Sequence, residues 1–171
     1  MKSPATPEIA DALSKHPFFA RFNAEELAQI AACGEQVQFA AGDFITHEGQ
    51  DARHFIAVIQ GQVAIQTFVP GRGHLTLQTL RGGDVLGWSW VFEPRQWTFD
   101  ARAVSATQTI RLDGRGLLWL CEQKPHIGYC LMRSLAHVMT ERLRATRMQV
   151  LDIYASPGGP DAIGAPSKRS P

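Results

Sequence analysis

The pattern of hydrophobic and polar positions divides the chain into three sections. In residues 1–34, Leu27 and Ile30 follow Asn23 at helical spacing, and Gly34 closes the stretch, which predicts a capped amphipathic helix within a helical lead-in. From about 35 to 113, short alternating stretches are separated by glycine turns every 8–12 residues, which indicates an antiparallel sandwich or barrel. Residues 114–154 return to helical spacing, with one short helix and one long helix.

The long helix carries an apolar seam. Its positions are spaced by three and four residues, as in a coiled coil: Met132, Leu135, Met139, Leu143, Thr146, Val150 and Ile153. We expect a homodimer through residues 132–153, and the alternative is one wide face packed against the β section. The remaining residues, 155–171, are rich in proline and glycine and are expected to be disordered.

Composition excludes several classes of protein. The chain has 171 residues, with 17 basic and 16 acidic side chains and a net charge of +1, so a dedicated nucleic-acid binder is not expected. It has neither an apolar signal core nor a run of about 18 apolar residues, which predicts a cytoplasmic protein without membrane contact. Three cysteines without a C-x-x-C pair argue against a disulfide framework and a zinc ribbon.

Catalytic motifs are also missing from the sequence. Two positions after His47, where a metal-binding cupin would supply a second histidine, the chain has Gly49, and His54 and His74 stand alone. There is no G-x-S-x-G, P-loop or G-x-G-x-x-G. We therefore expect no metal and no enzymatic activity.

Four segments together resemble the cyclic nucleotide-binding domain, the effector domain of the catabolite activator and Fnr regulators. They are FAAGDFI at 39–45, HEG at 47–49, FIAVIQGQVA at 55–64 and LRGGDVLG at 80–87. The resemblance covers about residues 12–154. It implies a mainly β fold, an antiparallel jelly-roll (double-stranded β-helix) barrel with N-terminal helices and a long C-terminal helix. It also implies that residues 82–103 match the family's phosphate-binding cassette.

The cassette departs from the family at its two anchors. The resemblance implies a glutamate after Gly87, for the ribose hydroxyl, but Trp88 stands there. It implies an arginine for the cyclic phosphate at the position of Trp97, which Thr98 follows. Each lost charge-assisted contact costs about 1.5–3 kcal/mol, so cyclic nucleotide affinity is expected to fall by roughly two to four decades.

Two interpretations of the cassette remain open. We expect a short helix after Gly87 whose free N–H groups, with Ser89, suit an anion. In the first interpretation the tryptophans stack on a flat ligand, and Arg95 and Arg102 replace the missing anion partner. In the second, Trp88, Trp90 and Trp97 fill the cavity. The ligand is therefore unknown, either a cyclic nucleotide or another flat anionic molecule.

The long helix supplies two further candidates. Residues 141–147 resemble the part of the family's helix that reaches a ligand across the dimer, which makes Thr146 and Arg147 candidate contacts. Alternatively, Thr146 fixes the register of the seam.

These features predict a non-catalytic regulatory or sensor domain, homodimeric and without a DNA-binding domain, since only 17 residues follow Tyr154. One alternative is a structural accessory subunit with a tryptophan-filled pocket that docks on a larger enzyme, such as a multisubunit oxidoreductase or hydrogenase. Another is the remnant of a transcription regulator.

Overall fold

The computed structural model describes residues 6–155, except the side chains of Ile153 and Ala155. Residues 6–132 form one compact unit and residues 133–155 belong to a second. The helices are α1 (Thr6–Ser14), α2 (Ala24–Ala31), α3 (Gly114–Gln123) and α4 (Pro125–Ala155), with a 3₁₀ turn at Pro17–Phe19. The strands are β1 (Gly34–Phe39), β2 (Phe44–Thr46), β3 (His54–Gln60), β4 (Gln62–Val69), β5 (Gly73–Arg81), β6 (Val85–Leu86), β7 (Asp100–Ala103) and β8 (Thr107–Asp113).

The eight strands form two four-stranded antiparallel sheets. Their strand orders are β1-β8-β3-β6 and β2-β7-β4-β5. The sheets do not close into a barrel, so the predicted closed barrel is wrong. Residues 6–155 are also less β-rich than expected, with 40% helix and 32% strand, because four helices flank the short strands.

The helical lead-in begins as the sequence predicts. Asn23 caps α2: its side chain accepts a hydrogen bond from the Glu26 N–H at 2.9 Å, and the Glu26 carboxylate accepts one from the Asn23 N–H at 3.0 Å. This reciprocal pair is a capping box. The bond from the Asn23 N–H lowers the pKa of Glu26.

An aromatic core joins the lead-in to the first sheet. Phe18 and Phe19 contact the ring of Phe55 on β3 at 4.9 and 6.0 Å between centroids. Beside them, buried His16 has both ring nitrogens engaged: Nδ1 accepts from the Phe18 N–H at 3.3 Å, and Nε2 lies 3.2 Å from the Asp84 carbonyl. This pattern requires a neutral imidazole with the proton on Nε2. Burial lowers the pKa of His16.

The hairpins depend on glycine where the backbone is left-handed. Gly61, between β3 and β4, has φ +97°, and a Cβ there would lie 2.5 Å from the Ala106 carbonyl oxygen. Gly71 and Gly73 turn the chain from β4 into β5 with φ of +80° and +78°. These turns bring the cassette segment back across β3.

The C-terminal helices also follow the sequence prediction. Asp113 caps α3, accepting from the Gly116 N–H at 2.7 Å, and α4 begins at Pro125. Ile127 and Leu131 of α4 are buried. The predicted tail lies outside the described residues, apart from Ala155, the last residue of α4.

Candidate functional site

The cassette opens with a turn fixed by backbone hydrogen bonds. Gly83, with φ +97°, donates its N–H to the Val58 carbonyl at 2.9 Å. The Asp84 carboxylate accepts from the Arg81 N–H at 2.7 Å. Gly87, just after β6, again has positive φ, at +56°. Gly83 and Gly87, which carry part of the family resemblance, therefore occupy backbone conformations that favour glycine.

Gly87 is followed by turns, and the predicted short helix is wrong. The Val91 N–H donates to the Trp88 carbonyl at 3.0 Å, and the Arg95 N–H donates to the Phe92 carbonyl at 2.8 Å. The physical reason is Pro94, which lacks an N–H and disfavours helical geometry at the preceding residue. The segment thus lacks the helix N-terminus that was expected to attract an anion.

Backbone hydrogen bonds join the second half of the cassette to the loop before β3. The Trp97 N–H donates to the Gln50 carbonyl, and the Trp97 carbonyl accepts from the Gly49 N–H, both at 2.8 Å. The Ala52 N–H donates to the Arg95 carbonyl at 2.7 Å. These bonds align residues 49–52 with residues 95–97 and fix the backbone from which the Trp97 ring projects.

The ring of Trp97 lies against Gly87. Trp97 is 9% exposed, and a Cβ built on Gly87 would lie 3.4 Å from its Cζ3 atom. The position that the family resemblance assigns to a phosphate-binding arginine is therefore occupied by a packed indole. Trp88, at the position of the missing glutamate, is half-buried. Ser89 is half-buried and Thr98 is exposed.

Trp90 belongs to the core of the lead-in. It is 1% exposed and meets Phe55 edge to face at 5.6 Å between centroids. A Cβ on Gly114 would lie 3.3 Å from its Cε3 atom, and its Nε1 is buried without a hydrogen-bond partner. Its ring is enclosed by protein, so Trp90 offers no free face on which a flat ligand could stack.

The two candidate arginines differ in their surroundings. Arg95 is the one non-glycine residue between 6 and 155 with positive φ, at +54°. Its Nε lies 3.0 Å from Oε1 of Glu93 as an ion pair, and Nε has no hydrogen-bond partner. Such a strained backbone is typical of functional segments. Arg95 thus remains the candidate anion partner.

Arg102 is engaged elsewhere. Its Nε donates to the Gly42 carbonyl at 2.8 Å, and its guanidinium lies 5.4 Å from the centroid of the Phe44 ring. Its neighbours Ala101 and Ala103 are buried, whereas Arg102 is exposed, as alternation along β7 requires. Arg102 therefore lies on the outer face of β7, and its role as a replacement anion partner stays a prediction.

The candidates on α4 lie in the second unit. Thr146 donates its hydroxyl to the Arg142 carbonyl at 2.9 Å, one turn earlier, and both Thr146 and Arg147 are exposed. The hydroxyl is thus satisfied within its own helix. Contact with a ligand and a role in register both stay predictions.

The structure also assembles a cluster that the sequence does not suggest. His47, His74 and Asp100 come from three different segments and meet on the sheet β2-β7-β4-β5. The pairing of Gln66 with Asp100 and of Phe68 with His74 brings them together. Sequence spacing carries no signal for this arrangement, because it depends on strand register.

A cavity of about 440 Å³ lies apart from the cassette, at the first sheet and α3. Cys33, Glu35, His54 and Arg111 are among its lining residues. Burial raises the pKa of Cys33 and lowers the pKa of His54. The thiol is therefore held protonated and poorly nucleophilic, which suits a structural cysteine.

Residues 6–155 contain no group of three histidine, cysteine or carboxylate side chains arranged to hold a metal ion. None of the helices in this range combines the length and apolar character needed to cross a membrane.

Comparison with known proteins supports the resemblance to the cyclic nucleotide-binding domain. The profile of the cyclic nucleotide-binding domain matches residues 36–124, more than half of the chain. The chain therefore belongs to the cyclic nucleotide-binding domain family. None of the curated proteins matches the chain significantly.

Solved structures share the fold over most of the chain. A protein from Geobacter metallireducens GS-15 assigned to the cyclic nucleotide-binding proteins is 26% identical, with a TM-score of 0.69 over 78% of this chain and 97% of its own. The N-terminal domain of a transcriptional regulator from Streptomyces coelicolor A3(2) is 24% identical, with a TM-score of 0.64 over 94% of this chain and 100% of its own. The regulatory subunit of a cAMP-independent protein kinase A from Trypanosoma cruzi, bound to guanosine, is 19% identical. Its TM-score is 0.58 over 72% of this chain and 48% of its own.

Proposed function

We propose that the chain is a non-catalytic regulatory domain whose cassette is closed by Trp97. The observation that carries this proposal is the contact of the 9% exposed Trp97 ring with Gly87, where the family resemblance implies an arginine. Trp88 also removes the carboxylate implied for the ribose. Cyclic AMP and cyclic GMP then bind roughly two to four decades more weakly than at a site with both anchors.

Opening the closed cassette requires Trp97 to leave its place. A ligand that binds here must offset the loss of the buried indole contacts, and a flat ring that stacks on the displaced indole does so most directly. Arg95 is then the available cation, provided that its guanidinium turns from Glu93 toward the ligand. The proposed ligand is therefore a flat molecule with an anionic group.

The proposed output is a homodimer formed through α4. In residues 133–155, the helix exposes large apolar side chains, and Leu143 is 72% exposed. The others are Met148, Val150, Leu151 and Tyr154. Leu135 is already buried in the single chain, so the proposed interface is centred on residues 139–154. Ligand binding shifts the helix by favouring one arrangement of the dimer over another.

The proposed location is the cytoplasm. Cys33, Cys121 and Cys130 are all unpaired. Free thiols suit a reducing compartment.

A thermal-shift screen tests whether the cassette accepts a ligand. The panel contains cyclic AMP, cyclic GMP, cyclic dinucleotides, nicotinamide and flavin nucleotides, and guanosine, which the Trypanosoma cruzi subunit binds. A ligand at 100 times its Kd raises stability by about 2.7 kcal/mol. We expect a shift with a flat anionic compound that is lost in Arg95→Gln. Cyclic AMP binding at micromolar Kd would contradict the closed cassette.

A second candidate function is a structural accessory subunit that docks on a larger enzyme. Two exposed aromatic side chains favour it, Trp119 on α3 at 62% and Tyr129 on α4 at 61%. Exposed aromatic rings are common anchors at interfaces. In that case no compound of the panel shifts the melting temperature, and Trp119→Ala weakens copurification with the partner enzyme while leaving stability unchanged.

A further inference from the structure

A buried carboxylate lies between two histidines on the sheet β2-β7-β4-β5. Oδ1 of Asp100 lies 3.7 Å from Nδ1 of His47, and Oδ2 lies 3.4 Å from Nδ1 of His74. Asp100 is 8% exposed, whereas both imidazoles reach solvent. Each oxygen of one carboxylate therefore faces a different imidazole that can exchange protons with water.

Aromatic contacts orient both imidazoles. The Phe44 ring stacks on His47 with 4.4 Å between centroids, and Phe68 meets His74 edge to face at 5.5 Å. These contacts place both rings beside Asp100.

Asp100 connects this cluster to the cassette. Its Oδ1 also accepts a hydrogen bond from the Glu48 N–H at 2.8 Å. Glu48 begins the segment whose next residues, 49–52, are bonded to residues 95–97. The carboxylate thus holds the loop that fixes the backbone of Trp97.

Other charges near the cluster are few. The guanidinium of Arg102 lies 5.4 Å from the centroid of the Phe44 ring, which stacks on His47. Glu48 is exposed and carries a carboxylate. The strand partner of Asp100 on β4 is Gln66, which is neutral.

We propose that His47, His74 and Asp100 form a proton-sensitive clamp on the cassette. Histidine changes charge between pH 5 and 8. When both imidazoles are protonated, two ion pairs hold Asp100, and the bond from Asp100 to Glu48 holds the 48–52 loop against residues 95–97. When the imidazoles are neutral, the ion pairs are absent and the loop opens more often. The clamp acts on Trp97 whether or not the cassette binds a ligand.

Amide hydrogen exchange measured by NMR at pH 5.5 and 7.5 tests the clamp, after correction for the intrinsic pH dependence of exchange. We expect protection of the Glu48, Gly49 and Trp97 amides to be about threefold higher at pH 5.5, the effect of partly exposed ion pairs. In the double variant His47→Gln/His74→Gln this ratio falls to one. Both substituted side chains are exposed, so the variant is expected to fold.

Two controls separate the clamp from other titrations. His137→Gln, at an exposed position on α4, keeps the wild-type ratio. His16 and His54 have lowered pKa values through burial, so their protonation at low pH weakens the fold and acts in the opposite direction. A wild-type ratio of one, or the same ratio in the double variant as in the wild type, overturns the proposal.

Discussion

Truncation of Trp97 to alanine tests whether its indole closes the cassette in solution. The Trp97 ring is 9% exposed and packs against Gly87, and its backbone is held by bonds to Gly49 and Gln50. Alanine keeps those backbone bonds and removes the ring alone. The resulting loss of stability therefore reports on the packing of the indole.

The magnitude follows from the buried area. A buried tryptophan removes about 150–250 Å² from water, which corresponds to about 4–6 kcal/mol as an upper bound. Measured truncations of large aromatic side chains in cores cost about 3–5 kcal/mol. Because Trp97 lies near the surface, where neighbours relax into the space, we expect a loss of about 3 kcal/mol.

Urea denaturation followed by circular dichroism measures this loss. The matched control is Trp119→Ala, since Trp119 is 62% exposed, and its expected change is within about 0.5 kcal/mol. A loss below about 1 kcal/mol for Trp97→Ala would show that the indole is not packed against Gly87 and would refute the closed cassette.

Three further predictions follow from the fold and from the proposed dimer. Gly61→Ala is expected to destabilise by more than about 2 kcal/mol, because its backbone is left-handed and the new Cβ meets the Ala106 carbonyl, and urea denaturation checks this. Because burial lowers the pKa of His16, the folded state binds a proton less readily than the unfolded chain, so stability is lost as pH falls below about 6.5. The stability advantage of wild type over His16→Gln should therefore shrink between pH 7 and 5 in urea titrations, by at most about 1.4 kcal/mol per pH unit. Leu143→Glu is expected to yield monomers in sedimentation velocity at tens of micromolar, and an unchanged dimer would contradict the proposed interface.

Local chemistry explains what the sequence could predict. The capping box of α2 depends on residues three positions apart, and the hairpin between β4 and β5 depends on glycines within the turn. Both are set by near neighbours, so the sequence pattern was sufficient. The departure from the family at Trp88 and Trp97 was likewise visible by counting from the glycines of the cassette.

The remaining site features depend on distant contacts. Trp90 joins the lead-in core because Phe55 and Gly114 approach it in the fold, and Arg102 is turned away from the cassette by alternation along β7. The predicted helix after Gly87 is different, because Pro94, which interrupts it, is a local signal that the sequence already contains. The grouping of two histidines around Asp100 follows from strand register and has no local signal.

A calorimetric titration of cyclic AMP tests the closed cassette most directly. The wild type is compared with Trp88→Glu/Trp97→Arg, which restores the two anchors that the family resemblance implies, and with Trp119→Arg as a matched control at an exposed tryptophan. We predict that the double variant binds cyclic AMP at least about 100-fold more tightly than the wild type, since two charge-assisted contacts contribute about 3 kcal/mol or more. The control variant should bind as weakly as the wild type. Wild-type affinity equal to that of the double variant would contradict the account.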